Sequence, residues 1–375
     1  MAHLVAIDLP GGPKFVAALQ QEWDAGNAVL PVDRRLPAPA RAALFESLAP
    51  DRLLDDDGAH PLPGRGVEAG DALVIATSGV TGKPKGVVLT HDAVRASAIA
   101  TSARLGITAA DTWLACLPLA HVGGLSVITR ALHLDVPLVV HDGFDADRVQ
   151  AAARAGATAV SLVTTALQRI DASLFRVIVL GGSRPPADRA DNVHATYGLT
   201  ETGSGVVYDG LPLDGVELKI APNNEVLIRC AMLLRCYRDD STPIDADGWL
   251  HTGDVGNLLP DGRLNVQGRA DDLIITGGEN VWPEVVEGIL GAHPAVRDVA
   301  VVGEPDAEWG QRVVAWIVPN GAPPSLADVR ALVLESLPGF CVPKRLHIVD
   351  AVPRTSLGKV QRHLLLVPPR TRVRR

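Results

Sequence analysis

The sequence predicts an α/β protein with a large layered α/β domain, an appended antiparallel β subdomain and a small α+β domain at its C-terminal end. Three changes of texture carry that expectation. Between residue 71 and about residue 195, short apolar strands alternate with amphipathic helices, the pattern of a mostly parallel sheet covered by helices. After about Asp209 the helices stop, and short strands follow one another across turn residues. Beyond Gly268-Arg269-Ala270-Asp271-Asp272, about a hundred residues mix helices with strands, enough for a separate small domain.

In chain order, the first seventy residues hold helical patterns at 15–22 and 38–48 between Pro-rich turns, with no chemistry of their own. Residues 71–76 read as a strand and 91–104 as a helix, so the Gly-rich stretch between them joins a strand to a later helix. Strands follow at 113–117, 137–141, 157–163, 176–180 and 192–196, with helices at 124–134 and 145–155. Ligands of such sheets bind at the carboxyl ends of the strands. The Gly-rich stretch and Gly181-Gly182-Ser183 both lie there. In the β subdomain, strands 216–220 and 225–230 flank the hairpin signal Ala221-Pro222-Asn223-Asn224, and 262–267 adds another. The last part reads as helix 283–290, strands 298–302 and 312–318, helix 325–337 and strand 345–349.

The bulk properties narrow the class. A chain of 375 residues can hold one large and one small domain. Its 47% hydrophobic and 4% aromatic content fits a globular enzyme packed on aliphatic side chains. A net charge of −8 argues against general nucleic-acid binding, and the basic tail ending at Arg375 reads as a solvated end. Cys116, Cys230, Cys236 and Cys341 show no C-x-x-C spacing and no zinc-spaced His, so buried free thiols in a reducing cytoplasm are expected. No apolar run approaches the length of a membrane span, and the N-terminus lacks the basic region of a secretory signal.

The chemistry begins at Thr77-Ser78-Gly79-Val80-Thr81-Gly82-Lys83-Pro84-Lys85-Gly86. Glycines let backbone approach a ligand closely. Hydroxyls and N–H groups donate to phosphate oxygens, and the lysines supply charge. A P-loop would place Ser or Thr after the lysine, and here Pro84 follows Lys83. The stretch instead resembles the phosphate loop of the adenylate-forming superfamily, which holds acyl-CoA synthetases, adenylation domains and luciferases. Val80 stands where that family usually has Ser or Thr, so one hydroxyl is missing.

Further signatures follow in the family's order. Tyr197-Gly198-Leu199-Thr200-Glu201-Thr202 is similar to the second signature, which implies Tyr197 and Gly198 against adenine, Thr200 at the α-phosphate and Glu201 on Mg²⁺. Gly181-Gly182-Ser183 resembles the loop that runs along the adenine. His251-Thr252-Gly253-Asp254 resembles the family's Thr-Gly-Asp element, with Asp254 accepting from the ribose hydroxyls and Arg269 as its partner. Asp271 falls where relatives place a hinge. The resemblance thus divides an ATP- and acid-binding domain, 1–268, from a mobile domain, 273–375, by a hinge at 269–272.

Lys359, within Pro353-Arg354-Thr355-Ser356-Leu357-Gly358-Lys359-Val360-Gln361-Arg362, resembles the C-terminal signature whose lysine reaches the substrate carboxylate and α-phosphate. An ammonium beside two anions offsets their repulsion. In Thr276-Gly277-Gly278-Glu279-Asn280, the family's glycines line a pantetheine tunnel during the second half-reaction, although a plain turn before the next helix needs the same residues. Leu117-Pro118-Leu119-Ala120-His121-Val122-Gly123-Gly124 resembles the segment that puts His121 at the mouth of the acyl pocket. Ala120 replaces a common aromatic there, and His91 reads as a surface residue.

The implied reaction joins ATP and a carboxylic acid into an acyl-adenylate and pyrophosphate, then transfers the acyl group to a thiol. ATP, Mg²⁺ and CoA are the groups it needs; no nucleic acid or membrane is involved, and a homodimer is left open. The part before the phosphate loop is short for the family. Tyr208-Asp209-Gly210-Leu211-Pro212-Leu213-Asp214-Gly215-Val216 resembles the compact actinobacterial 2-succinylbenzoate–CoA ligases of menaquinone biosynthesis. The alternatives are another aryl or short-chain acyl-CoA ligase, or a free-standing adenylation enzyme that loads a carrier protein. Cys230 and Cys236 stand where relatives usually have glycine.

Overall fold

The structure, a computed structural model, describes residues 2–78, 84–182, 188–354 and 360–366. The chain opens with β1 (Leu4–Ile7), α1 (Pro13–Asp24), β2 (Ala28–Pro31), α2 (Ala38–Leu48), β3 (Arg52–Asp55) and β4 (Gly58–Pro61). Next come β5 (Asp71–Ser78), β6 (Pro84–Thr90) and α3 (His91–Leu105). The helix-rich stretch holds β7 (Trp113–Ala115), α4 (Val122–Leu134), β8 (Leu138–Val140), α5 (Ala146–Arg154), β9 (Ala159–Val163), α6 (Thr164–Leu167) and β10 (Val177–Gly181). The middle is all strand: β11 (Val193–Gly198), β12 (Gly205–Tyr208), β13 (Leu211–Pro212), β14 (Glu217–Ile220), β15 (Glu225–Arg229), β16 (Cys236–Tyr237), β17 (Leu250–Leu258) and β18 (Leu264–Arg269). The chain closes with β19 (Ile274–Thr276), β20 (Glu279–Val281), α7 (Pro283–Gly291), β21 (Val296–Asp306), β22 (Gly310–Pro319), α8 (Leu326–Leu334) and β23 (Arg345–Ile348).

By internal contacts the chain forms two units. One holds Met1–Lys219, Leu227–Thr252 and Pro260–Leu264; the other holds Ile220–Val226, Gly253–Leu259 and Asn265–Arg375. The single mostly parallel sheet expected from residue 71 onward is two sheets in the first unit. One runs β16-β6-β5-β2-β1-β3-β4, with β3, β1, β2 and β5 parallel. Every residue of β1 and β2 is buried, so these strands read as short continuous apolar runs without the alternation that marks a half-buried strand. The region with no evident role therefore supplies four strands to this sheet.

The Gly-rich stretch is also different from the expectation. It connects β5 to an antiparallel partner, β6, and not directly to a helix. The reason lies in Val87, Val88 and Leu89, which are all buried and carry the chain back along β5 before Thr90 caps α3. Thr90 Oγ1 accepts the Ala93 N–H at 3.1 Å, and left-handed Gly106 ends the helix.

The second sheet runs β13-β12-β11-β10-β9-β7-β8 and is parallel from β8 through β11. Leu114, Val160, Leu162, Ile178 and Leu180 pack from its strands against Val149 of α5 and Phe175. A further four-stranded sheet, β14-β15-β17-β18, forms from the middle of the chain.

In the second unit, β20-β19-β22-β21 form a sheet, with β23 parallel to β22. Its long hairpin sorts side chains by the two-residue period of a strand. Val299, Val301, Val313, Ala315 and Ile317 join Val286 and Leu290 of α7 and Val329 and Val333 of α8. Their neighbours Ala300, Val302, Val314, Trp316 and Val318 join Val352 and Leu365. Helix α8 begins at a reciprocal cap between Ser325 and Asp328 and ends at Leu334, three residues short of the expected end. All four cysteines are free; Cys116, Cys236 and Cys341 are buried as expected, whereas Cys230 is half-buried. Among the described residues, no helix is long and apolar enough to cross a membrane.

Candidate active site

In the first unit, most expected site residues lie at strand ends. Thr77 and Lys85 face each other at the mouth of the β5–β6 hairpin, where Thr77 Oγ1 donates to the Lys85 carbonyl at 3.5 Å. Gly79, Thr81, Gly82 and Lys83 lie outside the described residues, as do Ser183 and Lys359; Ser78 is described by its place in β5 alone. The Lys85 ammonium sits 4.7 Å from the centre of the Tyr237 ring. The Tyr237 hydroxyl donates to Glu201 Oε1 at 2.9 Å. Lys85 and Glu201, distant in sequence, are thus linked through a tyrosine that the sequence did not single out.

Glu201 stands on a 3₁₀ turn, Thr200–Thr202, whose backbone is fixed from below. Thr202 is fully buried; its Oγ1 donates to the Ser204 carbonyl at 2.7 Å and accepts the Leu199 N–H at 2.9 Å. The Glu201 carbonyl accepts the Leu234 N–H at 2.7 Å. Gly198 precedes the turn at a bulge between β11 and β12, and a Cβ there would lie 2.2 Å from the Ser204 carbonyl oxygen. Only glycine fits. Thr200 and Glu201 are half-buried, which leaves them open to a ligand.

Tyr197 is the penultimate residue of β11, and Gly181 ends the neighbouring parallel strand β10, with Gly182 next in the chain. Thr196 Oγ1 donates to the Leu180 carbonyl at 3.2 Å and ties the two strand ends together. The two segments assigned to adenine therefore share one carboxyl edge of the sheet, where ligands of parallel sheets bind.

His121 caps α4, its Nε2 lying 3.7 Å from Asp33 Oδ2. Asp33 is held by Arg35, whose Nε and Nη2 each donate to it at 2.8 Å. Burial pushes the His121 pKa down and outweighs the upward pull of Asp33, so the ring is neutral at pH 7. Hydrogen bonding to Arg35 holds Asp33 below the usual carboxylate range. Asp33 comes from the N-terminal region that the sequence left without a role.

A second residue on α4 went unnoticed. Arg130 is 2% exposed, its guanidinium 5.5 Å from the Trp113 ring centre, and Nη2 donates to Ser126 Oγ at 3.1 Å. Its Nε and Nη1 are buried without a hydrogen-bond partner among the described residues. A buried cation with unmet donors is costly, and an anion that reaches it removes the cost. In sequence Arg130 reads only as one more polar residue of a helix. His91, expected at the surface, is instead half-buried edge-on to Trp23, with 5.1 Å between ring centres.

The second unit holds the remaining residues. Asp254, on β17, is 7% exposed and accepts from Arg269 Nη1 at 3.1 Å at the end of β18. The Gly253 N–H donates to Glu225 Oε1 at 2.9 Å. Gly277 and Gly278 are the two central residues of the β19–β20 hairpin, both at positive φ (60° and 85°), as a type I′ turn requires. A Cβ on Gly277 would stand 2.6 Å from the Trp309 ring, whose backbone carbonyl accepts the Gly277 N–H at 2.8 Å.

Among the described residues, no group of three or more His, Cys, Asp or Glu could hold a metal ion. A single carboxylate at Glu201 suits Mg²⁺ nonetheless. That ion binds through one or two carboxylates plus substrate phosphates and keeps several waters.

Known proteins similar to this chain fall in one family. The family model for AMP-binding enzymes matches residues 56–229, and that for the AMP-binding enzyme C-terminal domain matches 285–359. The probable 2-succinylbenzoate–CoA ligase of Mycobacterium tuberculosis is 40% identical over 327 residues, covering 79% of this chain and 84% of that protein. The 2-succinylbenzoate–CoA ligase of Listeria monocytogenes is 34% identical over 326 residues, covering 78% and 69%. Among solved structures, o-succinylbenzoate CoA synthetase of Bacillus subtilis, in complex with its acyl-adenylate intermediate, superposes with a TM-score of 0.88. Its identity to this chain is 28%, with 97% of this chain and 88% of that one covered. ATP-bound MatB of Rhodopseudomonas palustris has the same fold, with a TM-score of 0.85 at 24% identity over 98% and 88% of the two chains.

Proposed function

This chain belongs to the AMP-binding enzyme family, and we propose that within it the chain is a 2-succinylbenzoate–CoA ligase of menaquinone biosynthesis. Its fold is that of the adenylate-forming enzymes, and it is an ATP-dependent, AMP-forming acid–CoA ligase. The observation that carries the substrate is the likeness to relatives of that name over most of both chains.

In the first half-reaction a carboxylate oxygen of the acid attacks the α-phosphorus of ATP, and pyrophosphate leaves. Such chemistry is positioning plus electrostatics. In this reading Thr77, Ser78, Gly79, Thr81, Gly82, Lys83 and Lys85 hold the β- and γ-phosphates, and Thr200 meets the α-phosphate. Tyr197, Gly198, Gly181, Gly182 and Ser183 bracket the adenine, and Asp254 with Arg269 takes the ribose. Glu201 holds Mg²⁺, which when bound neutralises phosphate charge. Lys359 neutralises the pair of anions that must meet, and His121, as a neutral ring, borders the acid. In the second half-reaction the CoA thiol attacks the adenylate carbonyl and AMP departs, with Gly277 and Gly278 offering bare backbone to the pantetheine arm.

2-Succinylbenzoate carries a second carboxylate that does not react. Arg130, buried with unmet donors, supports a dianionic substrate of that kind. Residues 1–268 act as the ATP- and acid-binding domain, 269–272 as a hinge and 273–375 as a mobile domain. Four free cysteines support a cytoplasmic location, where thiols stay reduced.

Exchange of labelled pyrophosphate into ATP tests this directly. With Mg²⁺ present, 2-succinylbenzoate should drive the exchange, and CoA should then yield the thioester. Exchange with simple benzoates but none with 2-succinylbenzoate would overturn the substrate, and transfer to a carrier protein in preference to CoA would overturn the acceptor.

A further inference from the structure

Tyr237 lies outside the site motifs named above yet touches two of them. From the Lys85–Tyr237–Glu201 contacts we propose that Tyr237 is a positioning residue for the metal carboxylate, fixing one oxygen of Glu201 so that the other faces the ion. The proposal deepens the reading of Glu201 as the Mg²⁺ ligand and rests on it.

The backbone around Glu201 is immobilised by Thr202 and by the Leu234 N–H, but neither contact reaches its carboxylate. A glutamate side chain has three torsions, and an ion bound through one carboxylate gains little from a carboxylate that swings. The Tyr237 hydroxyl is the donor that removes this freedom, at 2.9 Å from Oε1. Glu201 Oε1 accepts that bond, which leaves Oε2 to point toward an ion. Lys85 above the ring withdraws electron density from the phenol and strengthens it as a donor. The same contact links the base of the phosphate loop to the carboxylate.

Tyr237 is itself held rigidly. Strand β16 pairs it with Val87 of β6, its N–H donates to the Ser241 carbonyl at 2.7 Å, and the next N–H, of Arg238, donates to the Gly86 carbonyl at 2.7 Å. The Arg238 guanidinium then donates to the carbonyls of Leu48, Gly66, Ala49 and Arg65, anchoring this two-residue strand in the core. On this base the ring presents its hydroxyl to Glu201.

Tyr237→Phe removes that hydroxyl and almost nothing else. Mn²⁺ serves as the probe, its binding followed by electron paramagnetic resonance on the full chain with ATP and no acid, so that no turnover occurs. Loss of an outer-sphere partner typically costs about 10–100-fold in metal affinity, and that weakening is expected here, with the Mg²⁺ dependence of acid-driven pyrophosphate exchange displaced upward in step. Saturating Mg²⁺ should restore the exchange rate. In a Glu201→Gln background, Tyr237→Phe should have no added effect on Mn²⁺ binding, a result that a merely structural role would not produce. Unchanged Mn²⁺ affinity in Tyr237→Phe, or equal weakening in both backgrounds, would overturn the proposal. Wild-type chain that exchanges pyrophosphate normally while Tyr237→Phe binds Mn²⁺ like wild type defeats this inference alone. Wild-type chain that binds no Mn²⁺ with ATP and shows no exchange defeats both it and the functional reading.

Discussion

Arg130 is a buried side chain whose own surroundings leave its chemistry incomplete among the described residues. Its guanidinium rests on Trp113 and spends one donor on Ser126, while two other donors meet nothing among the described residues. Burial disfavours its charged form, which makes the site receptive to an anion. Arg130→Met keeps the volume and removes the charge. Exchanging buried charge for apolar bulk is often neutral or stabilising by roughly 1–4 kcal/mol, so the variant should melt no lower than wild type. A lost charged hydrogen bond is worth about 1.5–3 kcal/mol, and KM for 2-succinylbenzoate should rise at least tenfold by the same arithmetic. KM for ATP should stay put. A parallel rise in both, or in neither, would remove Arg130 from the acid site. The sequence could not have shown this residue, nor Asp33 beside His121 or Tyr237 beside Glu201, because each gains its meaning from a partner far along the chain. The Thr77–Gly86 and Tyr197–Thr202 motifs stood out in the sequence because their residues are contiguous.

Helix α7 carries the clearest pH-dependent element. Glu287 sits on it with 15% of its side chain exposed, beside Arg362, which also pairs with Glu284 and Asp272, and its Oε1 also accepts the Val301 N–H at 2.7 Å. Three carboxylates thus surround one guanidinium. Burial pushes the Glu287 pKa from 4.5 up to about 7, against the opposing pull of Arg362. The folded chain therefore holds a proton that the unfolded chain releases at lower pH. The resulting stability is full below the unfolded value and is lost as pH rises through about 7. Between about pH 5 and about pH 8 the loss should be on the order of 2 kcal/mol. Glu287→Gln should abolish that slope and leave the protein more stable at the upper pH, as read by denaturant melts of the full chain. An unaltered slope would place the proton elsewhere. Elements differed in legibility for equally physical reasons. Helix α2 was expected at its observed bounds, 38–48, from a helical pattern next to a Pro-rich turn; Pro37 starts it and left-handed Ala49 ends it. Strands β1 to β4 were missed, the first two because wholly buried runs of four residues carry no alternation to read.

Across the whole chain, the sequence reading succeeded in class and order but merged two sheets into one, since nothing local says that β5 pairs with β2 and β6. The reaction itself poses a larger question, because one chain must run two half-reactions with opposite needs. Adenylation needs a cation between two anions, the task assigned to Lys359. Thioester formation needs a thin passage for a thiol arm, the task assigned to Gly277 and Gly278, which form a tight turn under Trp309. If residues 273–375 turn about Asp271 between the steps, each substitution should damage one step and spare the other. Lys359→Ala should reduce acid-dependent pyrophosphate exchange by at least about a hundredfold, the scale of a lost transition-state contact, yet convert supplied acyl-adenylate and CoA normally. Gly277→Leu should do the reverse. Its side chain would have to displace the Trp309 ring from 2.6 Å and hold a positive φ, a strain of roughly 1–3 kcal/mol that the unit can absorb while the tunnel cannot. Rapid-quench assays of each half-reaction in both variants measure the split. Equal losses in both steps, in either variant, would mean that these residues serve a single fixed arrangement and that the hinge has no part in the cycle.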